Sequence, residues 1–398
     1  MKSLEVRNPF TIQARQHWLK GNLPFSLQEY EERVRRIQES AKKDGLDGII
    51  VHGDGNENGF IRWVSNFAPL YGSTFIVIPS DGEITMVSDS VLHGEPMHSH
   101  WWMTWIPDVR PTKHSMEGLM EGLLRVLKEK HLAGSGAKLG WVGDYGFPLD
   151  TVRAILPGVG LKNYNEEFLL LKSVKSPKEV QIIRKTMKIT SDAMEAGCNA
   201  IKDGITESKI AGIINGTMMS EGAHDFAFFT MVVSGPKTAL KHAFPTERKM
   251  KKGDMIYIDI GANYYGYDAD MSRTLTVGRP SEKQRELLDL AYDIHKATVK
   301  MMKPGTVCGD IASKAYELCN GTGYEEDMYV GGHGLGTTLF DIPVILPTVK
   351  TKLAVNHVFA YEPMIVPMGM GTAVVEDDYL VTPSGVERLT KFEQKPWE

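Results

Sequence analysis

The 398-residue chain carries 45 Lys and Arg against 50 Asp and Glu, a formal net charge of -5, with 42% hydrophobic and 24% charged residues. These are the proportions of a globular protein too long for one ordinary core, so two domains are expected and overall disorder is excluded. A mildly acidic balance with scattered cations, such as Lys249, Lys251 and Lys252, gives no electrostatic basis for binding nucleic acid. Cys198, Cys308 and Cys319 form no CxxC pair, which suits a reducing compartment and argues against a thiolate zinc site. The N-terminal MKSLEVRNPF lacks the apolar core of a signal peptide. Apolar runs such as Phe226 to Val233 fall short of the ~20 residues that span a bilayer, so a soluble cytoplasmic protein is expected.

Ser26, with Glu29 three residues on, predicts a helix start, and the amphipathic run continues to about Lys43. Short apolar strands follow at Ile49–Val51, Thr74–Ile78 and Glu83–Val87, then a helix over Met116–Lys130 and a strand at Leu139–Val142. This alternation predicts an α/β domain over residues 1–168. From 169 the texture changes. Ser176 caps a long helix with Pro177 at its first position, running to about Ile201, and a second helix covers Thr206–Gly222. Helices interspersed with hairpins, rather than βαβ units, make residues 169–398 an α+β domain.

The chemistry concentrates in this second domain. Asp254-Met-Ile-Tyr-Ile-Asp-Ile-Gly alternates as a strand, with Ile256, Ile258 and Ile260 on one face and Tyr257 and Asp259 on the other. A turn through Asn263-Tyr-Tyr-Gly-Tyr returns the chain to Asp270, and a hairpin centred between Tyr264 and Tyr265 would set Asp259 opposite Asp270. A second hairpin centred on Gly369 would set Glu362 opposite Glu376 within strongly apolar strand sequence, where a lone carboxylate is costly. Between the two lies Gly331-Gly-His-Gly-Leu-Gly, whose glycines admit close backbone approach and whose His333 offers one imidazole. No Gly-Lys-Ser/Thr follows, so a phosphate loop is disfavoured. Four carboxylates and one imidazole make a hard, oxygen-rich set suited to Mn(II), Fe(II), Co(II) or Zn(II). With bridging carboxylates it would hold two divalent ions, roughly 3.5–4 Å apart.

In this order the residues resemble the pita-bread, creatinase/prolidase-like metallopeptidase family, which includes aminopeptidase P and prolidase. The resemblance runs through Leu171-Lys-Ser-Val-Lys-Ser-Pro-Lys-Glu, Ile258-Asp-Ile-Gly-Ala with Tyr267-Asp-Ala-Asp-Met-Ser-Arg-Thr, Gly332-His-Gly-Leu-Gly, Glu362-Pro and Val375-Glu-Asp. It implies a pita-bread catalytic domain after a smaller creatinase-type domain, and a dinuclear centre of Asp259, Asp270, His333, Glu362 and Glu376. In it Glu376 bridges both ions and Glu362 is the general base. Ser234-Gly-Pro with Lys241-His-Ala-Phe-Pro resembles the segment bearing the family's substrate-side histidine, here His242.

Two positions depart from the peptidase pattern. Phe340 and Asp341 stand where a His-Glu pair is usual before the proline, here Pro343, and Val374 stands where aminopeptidase P and prolidase carry arginine. Asp341 could be an added acid/base group or a loop acid. The implied reaction is hydrolysis of a C–N bond, in an Xaa-Pro peptide or a small metabolite as in creatinase and ectoine hydrolase. A lyase of the dimethylsulfoniopropionate type, with Asp341 as base, and a non-catalytic binding module are the alternatives. The resemblance also implies a homodimer in which one N-terminal domain covers the partner's site. The cluster His93, His98, His100, Trp101, Trp102 and Trp105, or Arg62-Trp63, would then pack internally or line the partner's pocket.

Overall fold

The amphipathic run after Ser26 folds as α1 (Leu27–Lys43), burying Tyr30, Arg33, Val34, Ile37 and Ala41, one stripe at helical spacing. Ser26 stands at the N-cap without a side-chain capping bond, so the capping box expected there is absent. The computed structural model describes residues 18–19, 21–89, 103–143, 147–240 and 242–397. The chain divides into two compact units, Met1–Leu171 and Lys172–Glu398.

In the first unit, β1 (Gly48–Asp54), α2 (Gly59–Ser65), β2 (Ser73–Pro79), β3 (Thr85–Ser88), β4 (Val109–Pro111), α3 (Met116–Glu129), β5 (Lys138–Val142), α4 (Phe147–Ile155) and β6 (Gly160–Asn163) follow in order. They build a mixed six-stranded sheet in the order β4-β3-β2-β1-β5-β6. Its inner strands are buried on both faces. Ile49 and Val51 belong to one apolar core with α1 and α2, while Ile50 packs into another with Leu119, Leu123 and Leu127 of α3. This is why β1 reads as an unbroken apolar run rather than an alternating one. Trp63 is fully buried, and Trp105 stacks on Tyr30 while its indole N–H donates to the Val64 carbonyl at 2.7 Å. Trp63 therefore serves internal packing and cannot line a pocket. His93, His98, His100, Trp101 and Trp102 lie outside the described residues.

Helix α5 (Asn165–Ser173) leads into the second unit and its long helix α6 (Pro177–Asn199). Ser176 and Glu179 form the reciprocal capping box of α6, with Pro177 in its first turn. After α7 (Glu207–Ser220) come β7 (Asp225–Phe226), β8 (Met231–Ser234), β9 (Met255–Ile260), β10 (Ala262–Tyr264), β11 (Tyr267–Asp268) and β12 (Met271–Thr276). These form two three-stranded sheets, β11-β10-β7 and β12-β9-β8. Helices α8 (Glu282–Val299) and α9 (Cys308–Cys319) precede β13 (Met328–Gly334), β14 (Asp341–Val344), β15 (Val358–Ile365), β16 (Ala373–Val374), β17 (Asp377–Thr382) and β18 (Gly385–Arg388). The last strands make one sheet, β14-β13-β15-β17-β18, with β16 on β15. Antiparallel sheets backed by α6 and α7 on one side of the chain's second unit and by α8 and α9 on the other give the α+β class expected for this half. Among the described residues no helix is long and apolar enough to cross a membrane.

Candidate metal centre

The first acidic hairpin turns one residue later than its composition suggests. Tyr264 pairs with Tyr267, so the two-residue turn is Tyr265-Gly266, with φ of 51° and 84°. A turn of this kind needs both central residues in the left-handed region. Placing Gly266 there avoids forcing two tyrosines into it. The shift sets Asp259 opposite Ser272, not opposite Asp270, which becomes its diagonal neighbour on the ladder. The carboxylates converge nonetheless, because diagonal neighbours remain within side-chain reach.

The second hairpin keeps the register centred on Gly369. Met364 pairs with Val374 and Tyr361 with Asp377, so Glu362 and Glu376 fall opposite each other between them. Across β13, Glu362 faces Gly331, where a Cβ would meet Glu362 Oε1 at 2.5 Å. Any side chain at 331 would displace that carboxylate. The hairpins are stitched together where Arg273 bridges Val375 and the Glu376 N–H donates to the Ser272 carbonyl at 3.1 Å.

Carboxylate oxygens of Asp259, Asp270 and Glu376 consequently lie within 4.8 Å of one another, and all three side chains are buried. His333 Nε2 is 3.4 Å from Asp270 Oδ2. Its Nδ1 lies 3.2 Å from the Gly334 carbonyl, a contact that suits the tautomer with its proton on Nδ1 and a lone pair on Nε2. Burial lowers the His333 pKa, favouring the neutral, ligating form. Tyr257 donates to Asp259 Oδ2 at 2.5 Å.

Electrostatically the group is incomplete without a cation. Burial, then the negative charges of Glu376, Asp259, Asp378 and Glu362, push the Asp270 pKa well above the usual carboxylate range. Burial and the charges of Glu362, Asp259 and Asp378 do the same to Glu376. Glu376 Oε2 is buried with no hydrogen-bond partner. Packed anions with an orphaned buried oxygen are what a divalent cation neutralises, and oxygen donors plus one imidazole suit the borderline-hard metals. The residues fit such ions.

The other expected residues are not among the converging ligand atoms. His242 is exposed with a left-handed backbone (φ 60°), while the adjoining Ala243 packs on a small core containing Tyr257, Met364 and Val374. Val374 is thus a buried wall residue. Phe340 is 71% exposed, its ring 4.6 Å from that of His333. Asp341 is buried, with Oδ2 3.2 Å from both Lys172 and Lys175 Nζ. Burial raises its pKa, but the two ammonium groups outweigh that and hold it below the ordinary value. Neither a loop acid nor a proton acceptor describes it: a carboxylate clamped by two cations is a poor base.

Some neighbours escaped the sequence reading. Asp378 of β17, two residues after Glu376, is buried and accepts from the Asp270 N–H at 3.1 Å. Asp377 points the other way, to Arg273 Nη2 at 2.7 Å, while Arg273 Nη1 donates to the Glu376 carbonyl at 2.6 Å. The run Glu376-Asp377-Asp378 within a strand was the available signal for both.

Comparison with known proteins agrees with this geometry. The profile of metallopeptidase family M24 matches residues 181–383. An Xaa-Pro dipeptidase of Pyrococcus horikoshii is 28% identical over 365 residues, 92% of this chain and 98% of the relative. That of Pyrococcus furiosus is 34% identical over 227 residues, 56% of this chain and 65% of the relative. The prolidase structure from Pyrococcus horikoshii superposes with a TM-score of 0.80 at 26% identity, covering 92% of this chain and 99% of that one. The chain belongs to metallopeptidase family M24 and is a metal-dependent hydrolase of its creatinase/prolidase group.

Proposed function

We propose that this enzyme hydrolyses Xaa-Pro dipeptides through a dinuclear centre of Asp259, Asp270, His333, Glu362 and Glu376, in the catalytic domain 169–398. The observation that carries the reading is the buried convergence of Asp259, Asp270 and Glu376, with His333 against Asp270 and Glu362 opposite Glu376. The naming of two relatives as Xaa-Pro dipeptidases supports the substrate class. When bound, two divalent ions (Mn, Fe, Co or Zn) supply a nucleophilic water at neutral pH and polarise the scissile carbonyl. Glu362, held over Gly331, takes the proton from the attacking water. His242, exposed and next in the chain to Ala243 of the Tyr257 cluster, donates to the substrate or leaving nitrogen. Phe340 replaces a hydrogen-bonding group with an apolar face, so the carbonyl contact of a typical proline peptidase is made elsewhere or lost. We further place the enzyme in the cytoplasm as a homodimer.

A lyase reading needs a side-chain base, for which Asp341 is the candidate, and its two ammonium partners weigh against that role. The test is a screen of Mn-loaded protein against Ala-Pro, Gly-Pro, a cyclic amidine and a sulfonium compound. Release of proline from a dipeptide, lost on chelation, is expected. Turnover of only the amidine or the sulfonium compound would move the assignment to a metabolite hydrolase or a lyase. Absence of bound transition metal would leave a creatinase-like metal-free enzyme or a binding module.

A further inference from the structure

We propose that a cavity between the C-terminal half of α8 and the strands β17 and β18 binds a small phosphate monoester. The cavity measures about 350 Å³, near the lower end of the ~300–1,000 Å³ of small-molecule sites. Lys296 of α8, Lys300 at its C-cap and Arg388 of β18 line it, and no acid does. Three cations around one concavity are unexpected in a chain whose net charge is -5.

Lys296 Nζ lies 5.5 Å from the centroid of the Tyr292 ring, a contact that leaves its charge unneutralised. Among the described residues no carboxylate oxygen lies within 4.0 Å of either lysine ammonium. Asp289 pairs with Lys395 at 2.9 Å and Glu387 with both terminal nitrogens of Arg184 at 2.6 Å, while Asp293, three residues before Lys296, is exposed and beyond 4.0 Å of its ammonium. Arg388 does approach Asp377, at 3.5 Å, but Asp377 is already held by Arg273 at 2.7 Å, Thr390 at 2.8 Å and Gln394 at 2.6 Å. Arg388 thus shares Asp377 with Arg273 and also donates to the Phe392 carbonyl at 3.2 Å, so the two lysines carry the unpaired charge. Complementing the helix dipole would account for two lysines at the end of α8. It does not account for an arginine brought to the same cavity from a strand.

The remaining wall is neutral. Val299, Val386 and Tyr379 line it, and the Tyr379 hydroxyl is occupied by His295 Nε2 at 3.2 Å. Burial holds the His295 pKa near 4, so it adds no charge at neutral pH. A ligand matching this lining carries a compact dianion for the cations and a small aromatic or aliphatic body for the wall.

Phenyl phosphate is the probe, titrated calorimetrically into the metal-loaded full chain, with phenol as the uncharged control. Lys296 and Lys300 are exposed, so Lys296→Glu/Lys300→Glu leaves the core intact, and Lys296→Gln/Lys300→Gln separates loss of charge from its reversal. Saturable binding to the wild type is expected, weakened at least about tenfold (about 1.4 kcal/mol) by charge reversal, less by the glutamines. Phenol should not bind. Adding a chelator should leave the cavity's binding in place, which distinguishes it from phosphate held by the metal ions. Equal affinity in the wild type and the reversed variant, binding abolished by chelation, or no binding to the wild type would each overturn the proposal.

Discussion

Replacing Glu376 by Gln should stabilise the metal-free protein while destroying its response to metal. Glu376 is fully buried among Asp259, Asp270, Glu362 and Asp378, and its Oε2 has no partner. At the 4.8 Å ceiling on oxygen separation, two full charges in an effective dielectric of about 20 repel by about 3.5 kcal/mol. Burial and that repulsion already favour the protonated forms of Asp270 and Glu376, so the relief realised at neutral pH is smaller, on the order of 1–2 kcal/mol. For a unit of this size, that raises the melting temperature by roughly 2–8 °C. Metal acts in the opposite sense on the pair. A divalent ion at a hundredfold excess over its Kd adds about 2.7 kcal/mol to the wild type, and the variant should lose most of it. Thermal melts of both proteins, after chelation and after Mn(II) loading, read the two effects separately. A metal-free variant that melts at or below the metal-free wild type, or equal stabilisation of both by Mn(II), would refute the reasoning.

Asp341→Asn should cost about 3–5 kcal/mol in urea unfolding, because it leaves the buried Lys172 and Lys175 ammonium groups without their shared counter-ion. Adding Lys175→Met to that variant should recover part of the loss; a neutral Asp341→Asn would mean the clamp contributes nothing. Stability should also fall in acid through His295. Its folded pKa, pushed down to about 4 by burial, lies below the unfolded value of about 6.5, so its contribution is complete above about 6.5 and lost as pH falls towards 4. The full span is worth about 3 kcal/mol, and His295→Gln should flatten the urea-midpoint profile over that window.

What the sequence made legible, and what it hid, follows from the range of the interactions involved. The N-cap of α6 at Ser176 and the register of the Glu362–Glu376 hairpin are set by residues close in the chain, and both were read directly. The Asp259–Asp270 register was misread by one turn position. Distance from the two acids is a symmetric criterion, whereas the backbone requirement that chooses Tyr265-Gly266 is local and asymmetric. The error did not scatter the carboxylates, because a ladder tolerates diagonal partners as well as direct ones. Asp341 was beyond reach for a different reason. Its partners, Lys172 and Lys175, lie more than 160 positions upstream in the chain, and only the folded second unit brings two ammonium groups to one carboxylate. An acid beside a glycine-rich motif therefore looks the same in sequence whether it is a free base or a clamped structural ion. The two are told apart by the charges that surround it, and here two ammonium groups weigh against a free base at Asp341 and so support the role proposed for Glu362.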